Sequence, residues 1–276
     1  MKVFSQIISY SLPVLYLLVI YVYYLIFSEK NKSLVKKTTP ILLVLVICHL
    51  IEIVTRSIAL NNMPFSSSHD SFAFIAFSIV LVYMISEIGL NSRGAGLFIL
   101  SFSFILELLS AVNMSWETET NELLINKTFA IHASLSVTGY TALSLAAIYA
   151  LMYIIQNHNL KKRNLGKLFT QLPALNYLEK MSLRSIVTGI VVLGIGLVLG
   201  HYQALSNPLI GEFFPKDIKV IVSDTVWIIY VIGYLIIALK QWRGAKLAYL
   251  SLYGFLILIV GGWIIIYMSE SFHKFN

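Results

Sequence analysis

Eight stretches of predominantly apolar residues succeed one another along this chain, near 4–27, 39–60, 72–91, 96–113, 129–156, 185–206, 220–239 and 247–269. Each is close to the length at which an α-helix crosses a hydrocarbon core of about 30 Å. In lipid a spanning segment must satisfy its own backbone hydrogen bonds, which a helix does. An all-α, polytopic membrane domain is therefore expected over residues 1–276, with about eight transmembrane helices. The segment 96–113 is short and carries Glu107, so seven is the fallback count. Composition points the same way, since 58% of the residues are hydrophobic and 12% charged, far from the balance of a soluble domain. The first stretch is longer than a signal-peptide core and has no small-residue cleavage site after it, so it is read as a retained helix.

Orientation follows from the basic residues, which gather in cytoplasmic connections. One set of connections holds 14 of the 20 Lys and Arg residues, including Lys161-Lys162-Arg163 and Arg243. The opposite set holds Lys2, Lys127, Lys216, Lys219 and Lys274, and Arg56 lies within a span. Both termini are therefore expected on the outer side, as in a bacterial cytoplasmic membrane. The net charge of +7 is then a topological signal, and no nucleic-acid partner is implied. Cys48 is the single cysteine, so the chain has neither a disulfide nor the Cys-x-x-Cys-His motif of a c-type cytochrome.

The inner connection over 157–184 is the longest on its side. Leu168, Leu172, Leu175, Leu178 and Met181 recur there at helical spacing beside a basic cluster. The pattern predicts an interfacial helix on the lipid surface, or alternatively a docking surface for a cytosolic partner.

Polar residues inside spans are costly unless paired or used. His49, Glu52 and Arg56 stand at i, i+3 and i+7 of the second span and so share one helical face. They form either a seam that fixes helix packing or a site, with His49 as a ligand, Arg56 facing a carboxylate of the bound molecule, or the stripe lining the path of a transported species. His132, His201 and His273 fall at or beyond the outer ends of three spans, and imidazole is a common ligand for iron, zinc and copper. His69, in a Ser-rich outer loop, is expected to be solvated, and His158 lies on the inner side. Gly189, Gly194, Gly196 and Gly200 in the sixth span suit close helix packing, or a flat surface for a planar ligand. Trp116, Phe213, Phe214 and Phe272 suit an interfacial aromatic belt.

The order of these features resembles the cytochrome c assembly family, in the branch holding CcsA/ResC-type, HemX-like and YpjD-like membrane proteins. The resemblance rests on His49-Leu50 with Arg56, Pro64 leading into Ser71, His132 with Tyr140, and Leu172-Pro173-Ala174-Leu175 with Leu178-Glu179 before the Gly-rich span. It continues through Trp242-Arg243-Gly244-Ala245-Lys246-Leu247-Ala248 and Gly254-Phe255. It implies non-covalent, b-type haem handling at the outer face in cytochrome c maturation. By position it makes His132 and His273 iron ligands and His49 part of an inner haem site, while His201 stands on topology alone. Lys127, Lys216 or Arg56 would face the propionates.

Two departures shape the expectation. The outer segment between Gly200 and Trp227 has no repeated tryptophan, and the seventh span ends in Ala238-Leu239-Lys240 without the histidine of the CcsA-type pattern. An accessory or haem-chaperone role is therefore expected over full haem export and ligation. The alternatives are a HemX-like regulator or scaffold that affects haem synthesis, through contact with a cytosolic enzyme and without binding haem, and a small-molecule or ion transporter. No Ser-His-Asp arrangement, phosphate-binding Gly loop or His-Glu-x-x-His helix is present, so no catalytic residue is assigned.

Overall fold

The computed structural model describes residues 2–30, 32–61, 67–90, 93–116, 127–206 and 217–268. All regular structure in them is helical: α1 (Lys2–Phe27), a 3-10 turn (Lys32–Lys37), α2 (Thr38–Leu60), α3 (Ser68–Leu90), α4 (Gly96–Val112), α5 (Lys127–Lys161), α6 (Lys167–Gln171), α7 (Leu175–Ser206), α8 (Ile218–Leu239) and α9 (Ala245–Met268). Among the described residues seven helices are long and apolar enough to cross a membrane. The segment expected as a fourth span forms α4, whose 17 residues extend about 25 Å at 1.5 Å per residue.

Local chemistry sets several boundaries. Pro40 sits in the first turn of α2, where its missing N–H removes no intrahelical bond. Asn61 ends that helix in the left-handed region at φ 51°, with its N–H turned back to Ile58, a conformation that Asn tolerates. Asp217 caps α8 by accepting from the Lys219 N–H at 2.8 Å. Pro13 lies inside α1 and leaves the Ser9 carbonyl without its usual donor.

The chain divides into two compact units. The first comprises Met1–Ile125 with His158–Pro173, the second Asn126–Asn157 with Ala174–Phe275. In unit 1, α1 to α4 bury polar stripes and turn apolar faces outward, the reverse of a soluble bundle. On α2 the buried face is Leu42, Leu45, His49, Glu52 and Arg56, while Leu43, Val44, Ile47, Leu50 and Val54 are exposed. Such an exterior suits lipid tails. In unit 2 the core is Leu143, Ala146, Ile186, Leu193, Val226, Tyr230, Ile237 and Leu247. Here α5 and α7 approach closely where side chains are missing: a Cβ on Gly189 would lie 2.5 Å from the Leu143 side chain, and one on Gly200 2.6 Å from the His132 ring. The glycine run of α7 thus serves helix packing.

The connection over 157–184 resolves into two elements. Pro173 cannot continue the preceding turn, and its predecessor is pushed out of helical geometry; Leu172 is extended. The five-residue α6 ends there and α7 begins at Leu175, running unbroken to Ser206. Leu178 therefore belongs to the buried stripe of α7 with Ser182 and Ile186, and the leucine periodicity crosses a break. In unit 1, Gln171 Nε2 donates to Glu29 Oε1 at 3.0 Å and ties α6 to the end of α1.

Candidate functional site

The three polar residues of α2 face inward together, and each meets polar side chains of neighbouring helices. Tyr16 of α1 and His49 share a hydrogen bond, hydroxyl to Nδ1, at 3.1 Å. His49 Nε2 faces Glu107 Oε2 of α4 at 3.5 Å, and the Phe77 ring packs edge-on against the imidazole. Ser9 donates to Glu52 Oε1 at 2.7 Å, and His69 Nε2 faces the same oxygen at 3.2 Å. Arg56 Nε donates to Asp70 Oδ1 at 2.7 Å and its Nη2 to the Ser115 carbonyl at 2.8 Å, while the guanidinium lies over the Trp116 ring.

This network corrects the expectation for His69. The residue is the second of α3, it is 1% exposed, and it is held by Ser110 and Glu52. Its serine-rich surroundings suggested solvent, but a carboxylate buried one helix away recruits its ring, and an unpaired charge there would be costly. Trp116 likewise lies under Arg56, a cation–π contact.

A second polar cluster occupies the opposite end of unit 1. Glu87 of α3 accepts from Tyr23 at 2.5 Å and Tyr83 at 2.7 Å through one oxygen, and from Thr38 at 2.6 Å through the other; Arg93 Nε stands 3.8 Å from the latter oxygen. Gly96 makes room for it, because a Cβ there would meet the Tyr23 ring and the Tyr83 hydroxyl. Sequence reasoning missed this cluster. Its signal was an acid four residues after a tyrosine inside an apolar span.

In unit 2, His132 lies near the start of α5, part-buried, with Nδ1 2.7 Å from the Gly196 carbonyl of α7. A carbonyl only accepts, so Nδ1 carries the proton, and in the neutral ring Nε2 carries the lone pair. This is the tautomer that a metal ligand needs, fixed by the kind of backbone contact that orients ligating histidines. His201, one residue past Gly200, turns instead to its own helix and to α8: Nδ1 donates to the Leu197 carbonyl at 2.9 Å and Nε2 meets Asp224 Oδ2 at 3.3 Å, with the ring 45% exposed. His273, Lys216, Phe213, Phe214 and Phe272 fall outside the described residues. Among the described residues no three His, Cys, Asp or Glu side chains converge as a metal site.

For a haem the two histidine environments differ. His132 fits an axial ligand by tautomer, partial burial and its place near a helix end. At His49 the nitrogen that would reach iron faces Glu107, and the ring is 1% exposed, so in this arrangement the residues do not fit a macrocycle. Arg56 is likewise committed to Asp70.

Comparison with known proteins agrees with this architecture. The chain is 35% identical over 111 residues to Protein HemX of Brevibacillus brevis, covering 40% of this chain and 38% of that protein. It is 28% identical over 153 residues to Protein HemX of Bacillus subtilis, covering 55% and 54%. Against the cytochrome c biogenesis protein CcsA of Guillardia theta it is 25% identical over 247 residues, covering 80% and 79%. The matches thus span about half or less of the HemX relatives and most of the CcsA relative. The family described as Cytochrome C assembly protein matches residues 8–273, and the chain belongs to that family.

Proposed function

We propose that this membrane protein handles haem in cytochrome c biogenesis, holding it non-covalently through His132 and His273 at the outer face. The observation that carries the reading is the His132 Nδ1–H donated to the Gly196 carbonyl, which leaves the ring on the tautomer that ligation through Nε2 needs. Family membership and the similarity to a CcsA protein support the biogenesis role. The bias of basic residues toward one set of connections supports placing both termini, and so His273, on the outer side of a bacterial cytoplasmic membrane. Bound haem would supply iron chemistry to a maturation partner. This chain's own part is to bind, orient and shelter the macrocycle. Lys127 or Lys216, in connections expected at the outer face, would face the propionates.

The test is purification in mild detergent, followed by an absorption spectrum and a haem assay. The expected result is a bis-imidazole spectrum that His132→Ala and His273→Ala each weaken. Protein that takes up no haem on reconstitution, or whose spectrum ignores both substitutions, would refute the reading.

The similarity to two HemX proteins favours a second reading, in which the chain acts on haem synthesis through a partner enzyme. That reading expects a haem-free protein which co-purifies with a cytosolic enzyme through the basic connections.

A further inference from the structure

The polar network of unit 1 has no task in haem binding at His132, yet it gathers two carboxylates and two imidazoles where lipid-facing proteins rarely place them. Its hydrogen-bond chemistry is decisive. Ser110 Oγ donates to the His69 carbonyl at 3.0 Å and stands 2.8 Å from His69 Nδ1. The hydroxyl proton is spent on the carbonyl, so Nδ1 must be the donor of that second contact. His69 Nε2 then faces an oxygen of Glu52, and a proton must lie between them, on nitrogen or on oxygen. His49 Nε2 and Glu107 Oε2 face each other at 3.5 Å without a direct hydrogen bond between them.

Three polar atoms in this group, His49 Nε2, Glu52 Oε2 and Glu107 Oε2, are buried and lack a hydrogen-bond partner among the described residues. Glu52 lies within electrostatic reach of both His49 and Glu107. Each native buried polar atom left this way calls for an explanation, and several such atoms in one polar site fit a small protic ligand. The remaining charged and titratable groups facing the site are Tyr16 from α1, Arg56 from α2 and Asp70 from α3, and the last two neutralise each other at 2.7 Å. With His49 Nδ1–H donating to the Tyr16 oxygen and one further proton in each histidine–glutamate pair, the whole network is neutral. Removing one leaves a net charge in a medium that penalises it.

We propose that His49, Glu52, His69 and Glu107 form a buried proton-binding site, in which a water or hydronium bridges the two histidine–glutamate pairs and protons exchange through one end of unit 1 only. The end toward the Glu87 cluster is closed by what lies beyond. Val19, Leu42, Leu45, Ile79, Ile99 and Leu100, each no more than 2% exposed, lie on α1 to α4 between the positions of this network and those of the Glu87 cluster, and the buried Ser103 of α4 donates its hydroxyl to its own helix at the Ile99 carbonyl. Protons do not pass apolar side chains without a polar chain. The site therefore stores a proton and does not conduct one.

Infrared and histidine 15N spectra of the purified full-length protein, taken across a pH titration, test this directly. The expected result is a carboxylic-acid C=O band that shifts in D2O and titrates in step with the ring signals of His49 and His69. Glu107→Gln removes that band and Glu87→Gln leaves it. Protein reconstituted in liposomes leaves an imposed pH gradient intact. A purely structural seam gives no joint titration in the wild type, an outcome that overturns the proposal without any variant having to fold. A band that survives both Glu107→Gln and Glu52→Gln, or a gradient that collapses through the wild-type protein, also overturns it.

Discussion

Arg56 and Asp70 set the residue-scale economy of unit 1. Their side chains are 3% and 6% exposed and 2.7 Å apart, so removing either one strands the other as a buried charge. Arg56→Ala should destabilise the protein by about 3–5 kcal/mol, read as a lower midpoint in detergent unfolding. The double change Arg56→Met with Asp70→Leu should recover most of that loss, because the charge and its partner leave together. Equal destabilisation in the single and double variants would show that the pair contributes packing and not charge compensation. Glu87 gives a milder case. Tyr83→Phe removes one of its three hydroxyl donors and should cost about 1–3 kcal/mol in the same assay. At this scale the stripe of His49, Glu52 and Arg56 was legible, because helical spacing alone puts three polar residues on one face. Their partners were not. Ser9, Tyr16, His69 and Glu107 come from other helices, and a single sequence carries no record of which helix turns toward which.

The helices themselves were largely readable, since the demand for internally satisfied backbone in lipid leaves few alternatives. The connection before α7 was read less well: its leucines keep helical spacing on both sides of Pro173, and spacing alone cannot report a break. Element packing carries its own prediction at the α5–α7 contact. A methyl group on Gly200 would lie 2.6 Å from His132 Cε1, so Gly200→Ala must displace the ring or part the helices. It should weaken haem binding at least several-fold and destabilise by about 1–3 kcal/mol. Gly262 meets nothing within 4 Å of such a methyl group, and Gly262→Ala is the matched control, expected to leave both binding and stability unchanged. Spectral titration with haemin and thermal unfolding read the two effects separately.

Across the whole molecule, two units divide the candidate chemistry. Unit 2 presents His132 on a tautomer fit for iron, while unit 1 encloses a buried network of carboxylates, imidazoles and a guanidinium. The family and the class of fold could be read from the order of motifs, but the division of labour could not, because the histidines of both units look alike in sequence. Only their partners separate them: a backbone carbonyl for His132, and Tyr16 with Glu107 for His49. Topology adds a further expectation. Cysteines placed at either terminus of a Cys48→Ala background should react with an impermeant thiol reagent added to whole cells, whereas a cysteine at Lys162 should not. The most direct measurement compares the haem content and absorption spectra of His132→Ala and His49→Gln proteins purified in parallel with the wild type. A haem spectrum weakened in His132→Ala and fully retained in His49→Gln is the predicted result. Retention in His132→Ala with loss in His49→Gln would contradict the assignment of haem to unit 2.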